Sequence, residues 1–195
     1  MIIAETIKDS IAVKQRMLDN ETLSQEIQAM AELCIETFQR GGKVLFCGNG
    51  GSAADAQHLS AELSGRFNYD RAPLFSEALH VNTSFVTAVA NDYGYDMVYA
   101  RMVEAMGRKG DVLVALSTSG NSPNILKAAA KAKELEMKVI GFSGMTGGKL
   151  LSLCDHLLLV PSKNTARIQE AHIMVGHIVC DIIEQTIFPK KENNP

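Results

Sequence analysis

The chain carries 195 residues, 46% of them hydrophobic and 21% charged, which suits one globular domain with a sizeable core and excludes a disordered or fibrous chain. A formal net charge of -3 argues against nucleic-acid binding through a basic face, and no apolar run approaches the ~18 residues of a membrane span. The N-terminus, Met1-Ile2-Ile3-Ala4-Glu5, has no basic leader region, so no signal peptide is expected; Cys34, Cys47, Cys154 and Cys180 form no C-x-x-C pair and are expected as reduced thiols in a cytoplasmic protein.

Residues 2 to 40 predict two helices. Leu23, Ile27, Met30, Ala31, Cys34, Ile35 and Phe38 recur at helical spacing, Asn20 or Thr22 stands where a cap belongs, and Gly41-Gly42 ends the second helix. Val44 to Cys47 is a short buried strand, followed by a helix from about Ser52 to Arg66. Pro73 marks a break before a second strand over Leu74 to Leu79, and residues 83 to 107 read as helix interrupted at Asn91-Asp92-Tyr93-Gly94. Val112 to Leu116 is a third strand, apolar on both faces; Ser122 then caps a helix that starts on Pro123 and runs to about Glu136. Val139 to Phe142 is the fourth strand, Gly147-Gly148 opens a short helix, and Leu157 to Val160 is the fifth strand, ended by Pro161. A long helix covers roughly 165 to 187, and the polar tail from Pro189 to Pro195 is expected to be loose. Strands apolar on both faces and alternating with helices imply an α/β three-layer sandwich: a central five-stranded parallel sheet with helices on both sides, plus the N-terminal helices.

Two loops follow apolar strands. Gly48-Asn49-Gly50-Gly51-Ser52 lacks the full G-x-G-x-x-G spacing of a dinucleotide site, and the plain alternative is a tight strand-to-helix turn capped by Ser52. Ser117-Thr118-Ser119-Gly120-Asn121-Ser122 places four hydroxyl groups at the carboxyl end of a central strand, where parallel sheets bind ligands. Hydroxyls, backbone N–H groups and a helix N-terminus together suit a phosphate monoester.

His58 and Glu62 stand four apart on the helix after the glycine loop and so share one face, as a solvated pair or as an acid/base pair. The same spacing also suits two metal ligands. Gln169, Glu170, His172 and His177 lie on the last helix among Ile168, Ile173, Val175 and Ile178, where a histidine is more often a satisfied core residue. Gln169 and His177 are about 12 Å apart along the axis, so they would share an ion only by leaning together or by one coming from a second subunit. His80 and His156 flank strands without an evident partner.

Taken in order, Cys47-Gly48-Asn49-Gly50-Gly51-Ser52 with His58 and Glu62, Asn91-Asp92, Gly110-Asp111-Val112-Leu113, Ser117 to Ser122, and Arg167-Ile168-Gln169-Glu170-Ala171-His172 resemble the phosphoheptose isomerases of the sugar isomerase (SIS) domain superfamily. The resemblance covers nearly the whole chain. It implies a flavodoxin-like SIS domain over 41–188, with residues 1–40 packing on it and on neighbouring subunits of a homotetramer. It also implies an aldose–ketose isomerase acting on a phosphorylated seven-carbon sugar, with no nucleic-acid or membrane partner. Carried over residue by residue, Glu62 is the expected base and His177 the acid. Asn49, Gly50, Gly51, Ser52, Glu62, Asn91, Asp92, Ser117, Thr118, Ser119, Ser122 and Gln169 are the expected substrate contacts. His58, Glu62, Gln169 and His177 are the expected ligands of one Zn2+ per subunit. The alternative the resemblance leaves is a non-catalytic SIS protein that binds the replication initiator: the initiator-associating proteins share most of these loops but lack the acid at the position of Glu62 and the histidine at that of His177, both of which this chain has. Ala166 stands where some of these isomerases carry an acid, so no role for that acid is expected here.

Overall fold

The computed structural model describes residues 1–190; the last five residues of the expected loose tail lie outside the described residues. Five strands, β1 (Val44–Cys47), β2 (Ser76–Ala78), β3 (Val112–Leu116), β4 (Lys138–Ser143) and β5 (His156–Leu159), form one parallel sheet in the order β2-β1-β3-β4-β5. Val44 lies opposite Val112 and Cys47 opposite Ala115, while Leu116 of β3 lies opposite Phe142 of β4.

Because side chains alternate along a strand, each strand feeds two cores. Val44, Phe46, Val112, Val114, Leu116, Ile140 and Phe142 face one side, where they meet α1 (Ile2–Leu18), α2 (Glu21–Gln39), α3 (Gly51–Ser64) and α7 (Thr165–Ile187). Leu45, Cys47, Leu113, Ala115 and Val139 face the other, against α4 (Thr83–Tyr93), α5 (Val98–Met106) and α6 (Pro123–Glu134). This is the three-layer arrangement the two-faced apolar strands require.

The departures from the expected elements are local. Asn20, not Thr22, caps α2, its side chain accepting the Leu23 N–H. Strand β2 is three residues long, not six, because Phe75 points to solvent at the sheet edge and only Ser76 to Ala78 pair with β1. Helix α6 stops at Glu134, two residues early: the Met137 N–H turns back to the Ala132 carbonyl and Glu136 takes φ 56°.

The sheet order sets the position of the site. Chain direction across the sheet reverses between β1 and β3, since β1 is followed by β2 on one side and β3 is followed by β4 on the other. The crevice at the carboxyl ends of such a strand pair is where doubly wound sheets take ligands. Both hydroxyl- and glycine-rich loops leave from that edge.

Candidate active site

Chain turns tightly after β1: the Ser52 N–H reaches the Asn49 carbonyl at 3.0 Å and the Ala53 N–H the Gly50 carbonyl at 3.0 Å, so α3 begins at once. After β3 the Gly120 N–H closes on the Ser117 carbonyl at 3.0 Å. Between the two turns lies a cavity of about 300 Å³ lined by Asn49, Gly50, Gly51, Ser52, Ser117, Thr118, Ser122, Thr165 and Gln169. The first turns of α3, α6 and α7 all border it, so three helix dipoles favour an anion there.

Two expected residues behave differently. Ser122 precedes Pro123 at the start of α6 but makes no capping hydrogen bond; its hydroxyl pairs with that of Ser117 at 3.1 Å, which turns both toward the cavity. Ser119 receives the Asn121 N–H on its hydroxyl and lines an adjoining cavity of about 270 Å³ with Thr146, Ser162 and Lys163; Thr118 and Thr165 are common to both. Lys163, a cation beside the serine loop, carried no motif in the sequence. Asn91 and Asp92, at the end of α4, are exposed, bond to each other at 2.9 Å, and stand outside the residues lining the first cavity.

The acid/base candidates meet at a second point. His58 Nε2 lies 2.9 Å from His177 Nε2 and 3.1 Å from a Glu62 carboxylate oxygen, and one ligand atom from each of the three residues fits within 4.8 Å of the others. His58 is half exposed; the Glu62 side chain is 22% exposed. Phe67 lies against the His177 ring, centroids 5.5 Å apart. Glu62 and His177 therefore stand side by side. They do not face each other across a space that a sugar could enter, as an acid and base on opposite sides of the substrate would.

What brings α3 and α7 this close is the absence of side chains. A Cβ on Gly176 would lie 2.4 Å from Leu59 Cδ1, and one on Gly51 would lie 2.6 Å from the Gln169 amide nitrogen. The two helices thus run in the same direction in near contact, with His58 and His177 the immediate neighbours of Leu59 and Gly176. Beyond α3 a buried clamp fixes the pair. Arg71 donates to the carbonyls of Glu62 and Leu63, at 2.7 Å each, and from Nε to Glu184 of α7 at 3.0 Å. Glu184 also accepts the N–H groups of Phe67 and Asn68. Burial alone would raise the Glu184 carboxyl; those two N–H groups and Arg71 outweigh it and hold it below the usual carboxylate range.

Two imidazole nitrogens and a carboxylate oxygen converging on one point are a zinc-type donor set. Two neutral imidazoles with facing Nε2 atoms satisfy each other only if one holds the proton, whereas both can offer lone pairs to a cation. Gln169 is set apart: its amide packs on Gly51, roughly two turns from His58 along α3. One turn before His58, the Asp55 carboxyl is raised by burial, an effect its neighbour His58 partly offsets.

The remaining histidines do other work. His172 is fully buried against Phe142, with Nε2 3.3 Å from the Ser143 carbonyl, and burial lowers its pKa to about 4. His156, expected to lack a partner, pairs with Glu26 at 3.1 Å; the two are 130 residues apart and no local pattern joins them. Burial pushes the thiols of Cys34 and Cys154 up to about 12 and raises Cys47 and Cys180 as well, and all four are free. Such thiols are protonated and inert.

Comparison with known proteins gives the arrangement its relatives. Residues 8–144 match the SIS domain family. The chain is 50% identical over 189 residues to a phosphoheptose isomerase of Clostridium acetobutylicum, covering 97% of this chain and 96% of that one. It is 51% identical over 189 residues to that of Burkholderia pseudomallei, covering 95% and 96%. The solved phosphoheptose isomerase of Neisseria gonorrhoeae superposes with a TM-score of 0.89 at 45% identity, over 94% of this chain and 97% of that one. The Francisella tularensis structure gives 0.90 at 40% identity, over 94% and 96%. On sequence, fold and full-length coverage together, the chain belongs to the phosphoheptose isomerase family of SIS-domain proteins.

Proposed function

We propose that this chain is an aldose–ketose isomerase converting sedoheptulose 7-phosphate to D-glycero-D-manno-heptose 7-phosphate, a precursor of heptose-containing glycans such as the lipopolysaccharide inner core. The observation that carries the reading is the convergence of His58, Glu62 and His177 on α3 and α7, the two helices whose N-termini border the hydroxyl-lined cavity at the β1/β3 crevice. The phosphate sits among Ser117, Thr118, Ser119 and Ser122 and the loop Asn49 to Ser52, where helix N-termini offset its charge. Asn91 and Asp92 reach the sugar from the end of α4. Pinned at that remote end, the open-chain ketose directs C1 and C2 toward the histidine cluster past Gln169.

Glu62 removes a proton from C1 while His177 gives one to the C2 oxygen, forming the enediol. The proton on the C1 oxygen then leaves and C2 takes a proton, so that the ketone at C2 becomes an aldehyde at C1 with no net gain or loss of atoms. Because Glu62 and His177 are neighbours, both act on the same edge of the substrate, as a cis-enediol requires. Zn2+, one per subunit, suits His58, Glu62 and His177 with Gln169 as fourth ligand, and when bound would stabilise the negative charge that builds on the enediol oxygens. Gln169 would join it by swinging along α7 or from a second copy of the chain, in keeping with a homotetramer whose sites lie at subunit contacts. A carboxylate that binds an ion through one oxygen keeps the other for proton transfer, so Glu62 can hold the metal and act as the base.

Proton NMR of sedoheptulose 7-phosphate in deuterated water with the purified protein tests this directly. Aldose signals and carbon-bound deuterium are expected to grow in together, and a chelator is expected to abolish both. No aldose over hours of incubation would reject the isomerase; unchanged turnover with chelator would reject the metal.

A further inference from the structure

Asn49 is one of the residues lining the phosphosugar cavity, and its side chain is held by a network that nothing in the catalytic cluster requires. Its Nδ2 donates to Asn124 Oδ1 at 2.9 Å, and Asn124 Nδ2 donates back to Asn49 Oδ1 at 2.8 Å. A reciprocal amide pair of this kind is degenerate, because turning both amides over preserves both bonds. Here the degeneracy is broken. Asn124 Oδ1 also receives the backbone N–H of Ile125 at 3.0 Å, and a backbone N–H can only donate. That bond fixes which atom of Asn124 is oxygen, and the pairing then fixes Asn49. Tyr95 adds its hydroxyl to Asn49 Oδ1 at 3.2 Å, filling that oxygen's second acceptor position. Asn124 is 2% exposed and does not line the cavity.

The arithmetic of donors leaves one group. Asn49 has two amide N–H bonds and one oxygen with two lone pairs. The oxygen is saturated by Asn124 and Tyr95, one N–H is spent on Asn124, and the second N–H has no partner among the described residues. We propose that Asn124 is a positioning residue: acting through the first turn of α6, it locks Asn49 with its oxygen turned away and a single N–H presented to the cavity. The Asn49 side chain therefore offers the substrate a donor only, selecting a phosphate, carbonyl or hydroxyl oxygen. Tyr95, in the bend between α4 and α5, supports the same orientation from the same helix layer as α6.

The inference rests on the isomerase reading for its substrate but is separable from it by a double-mutant cycle on kcat/KM for sedoheptulose 7-phosphate with Asn49→Ala, Asn124→Ala and the pair. Each single change is expected to lower kcat/KM at least about tenfold. If Asn124 acts through Asn49, Asn124→Ala costs less than about twofold once Asn49 is alanine. A purely structural Asn124 would cost the same factor in both backgrounds, and that result overturns the proposal, as does a single change without effect. Asn124→Asp keeps volume and the acceptor for Ile125 N–H but withdraws the donor to Asn49, so it serves if the alanine variant fails to fold and is expected to show the same non-additivity. Thermal stabilisation of the four proteins by sedoheptulose 7-phosphate runs alongside. If wild type is stabilised but makes no aldose, the isomerase reading fails and the same cycle on the stabilisation decides the role of Asn124; if wild type is neither stabilised nor active, both fail.

Discussion

At the scale of single residues, the site depends on a few atoms placed by backbone geometry. Glu62→Gln is isosteric and His177→Asn shortens a side chain that is only partly buried, so each is expected to lower turnover at least about a hundredfold, the usual contribution of a positioned acid or base, with melting temperatures near wild type. Steady-state assay with differential scanning calorimetry checks this; near-native turnover in either variant removes the proton-transfer assignment. His172 shows the opposite use of an imidazole. With a pKa near 4 in the fold against about 6.5 when unfolded, it binds its proton first in the unfolded chain as pH falls. Its contribution is therefore full above about pH 6.5 and is lost progressively toward pH 4, by up to ~3 kcal/mol. Urea denaturation between pH 7.5 and 4.5 should show this slope in wild type and a shallower one in His172→Gln; equal slopes would show that other groups dominate.

At the scale of elements, the decisive contact is α3 against α7, and it rests on Arg71 and Glu184, whose side chains are 2% and 1% exposed. Glu184→Gln leaves the guanidinium buried without a counter-charge and is expected to cost about 3–5 kcal/mol at pH 7. The sign follows from the depressed carboxyl: the stabilisation is present above the ordinary carboxylate range and is lost as pH falls through the folded value, so wild type and variant should converge in strongly acidic urea melts. The strands and the bounds of α7 could be read from apolar runs and breakers because burial on both faces writes itself into consecutive residues, as in Val112 to Leu116. The helix pairing could not. Gly176 looks like any glycine within a helix, Arg71 like any loop cation, and His156–Glu26 spans 130 residues; each gains its meaning only when distant segments meet. The residues gathered at the cavity and on the α3–α7 pair stood in motifs, but Tyr95, Asn124 and Lys163 did not, since each lies against a loop it does not belong to. The same limit explains Ser122, whose place before Pro123 announces a cap while the Ser117 hydroxyl claims its side chain.

At the scale of the whole molecule, α1 stands out. Ile3, Ile7 and Ile11 recur every four residues along it and are 72%, 55% and 59% exposed, an apolar stripe that a lone subunit leaves in water. The helix is tied to α7 on an adjoining face, by Arg167 to the Thr6 carbonyl and by Ser10 to Glu170. A stripe on a firmly anchored helix suits packing against a second copy, and the proposed homotetramer would cover it. Ile7→Lys with Ile11→Lys is expected to shift sedimentation from tetramer to smaller species; an unchanged sedimentation coefficient would place the subunit contacts elsewhere. The separation of His58 and His177 by 119 residues of chain has a last consequence for synthesis. A ribosome-bound chain released only as far as β5 already holds every strand of the sheet, yet Leu59, Met30 and Cys34 still lack the cover that α7 gives them. Chemistry and solubility then arrive in one step, when the final 23-residue helix leaves the exit tunnel and docks.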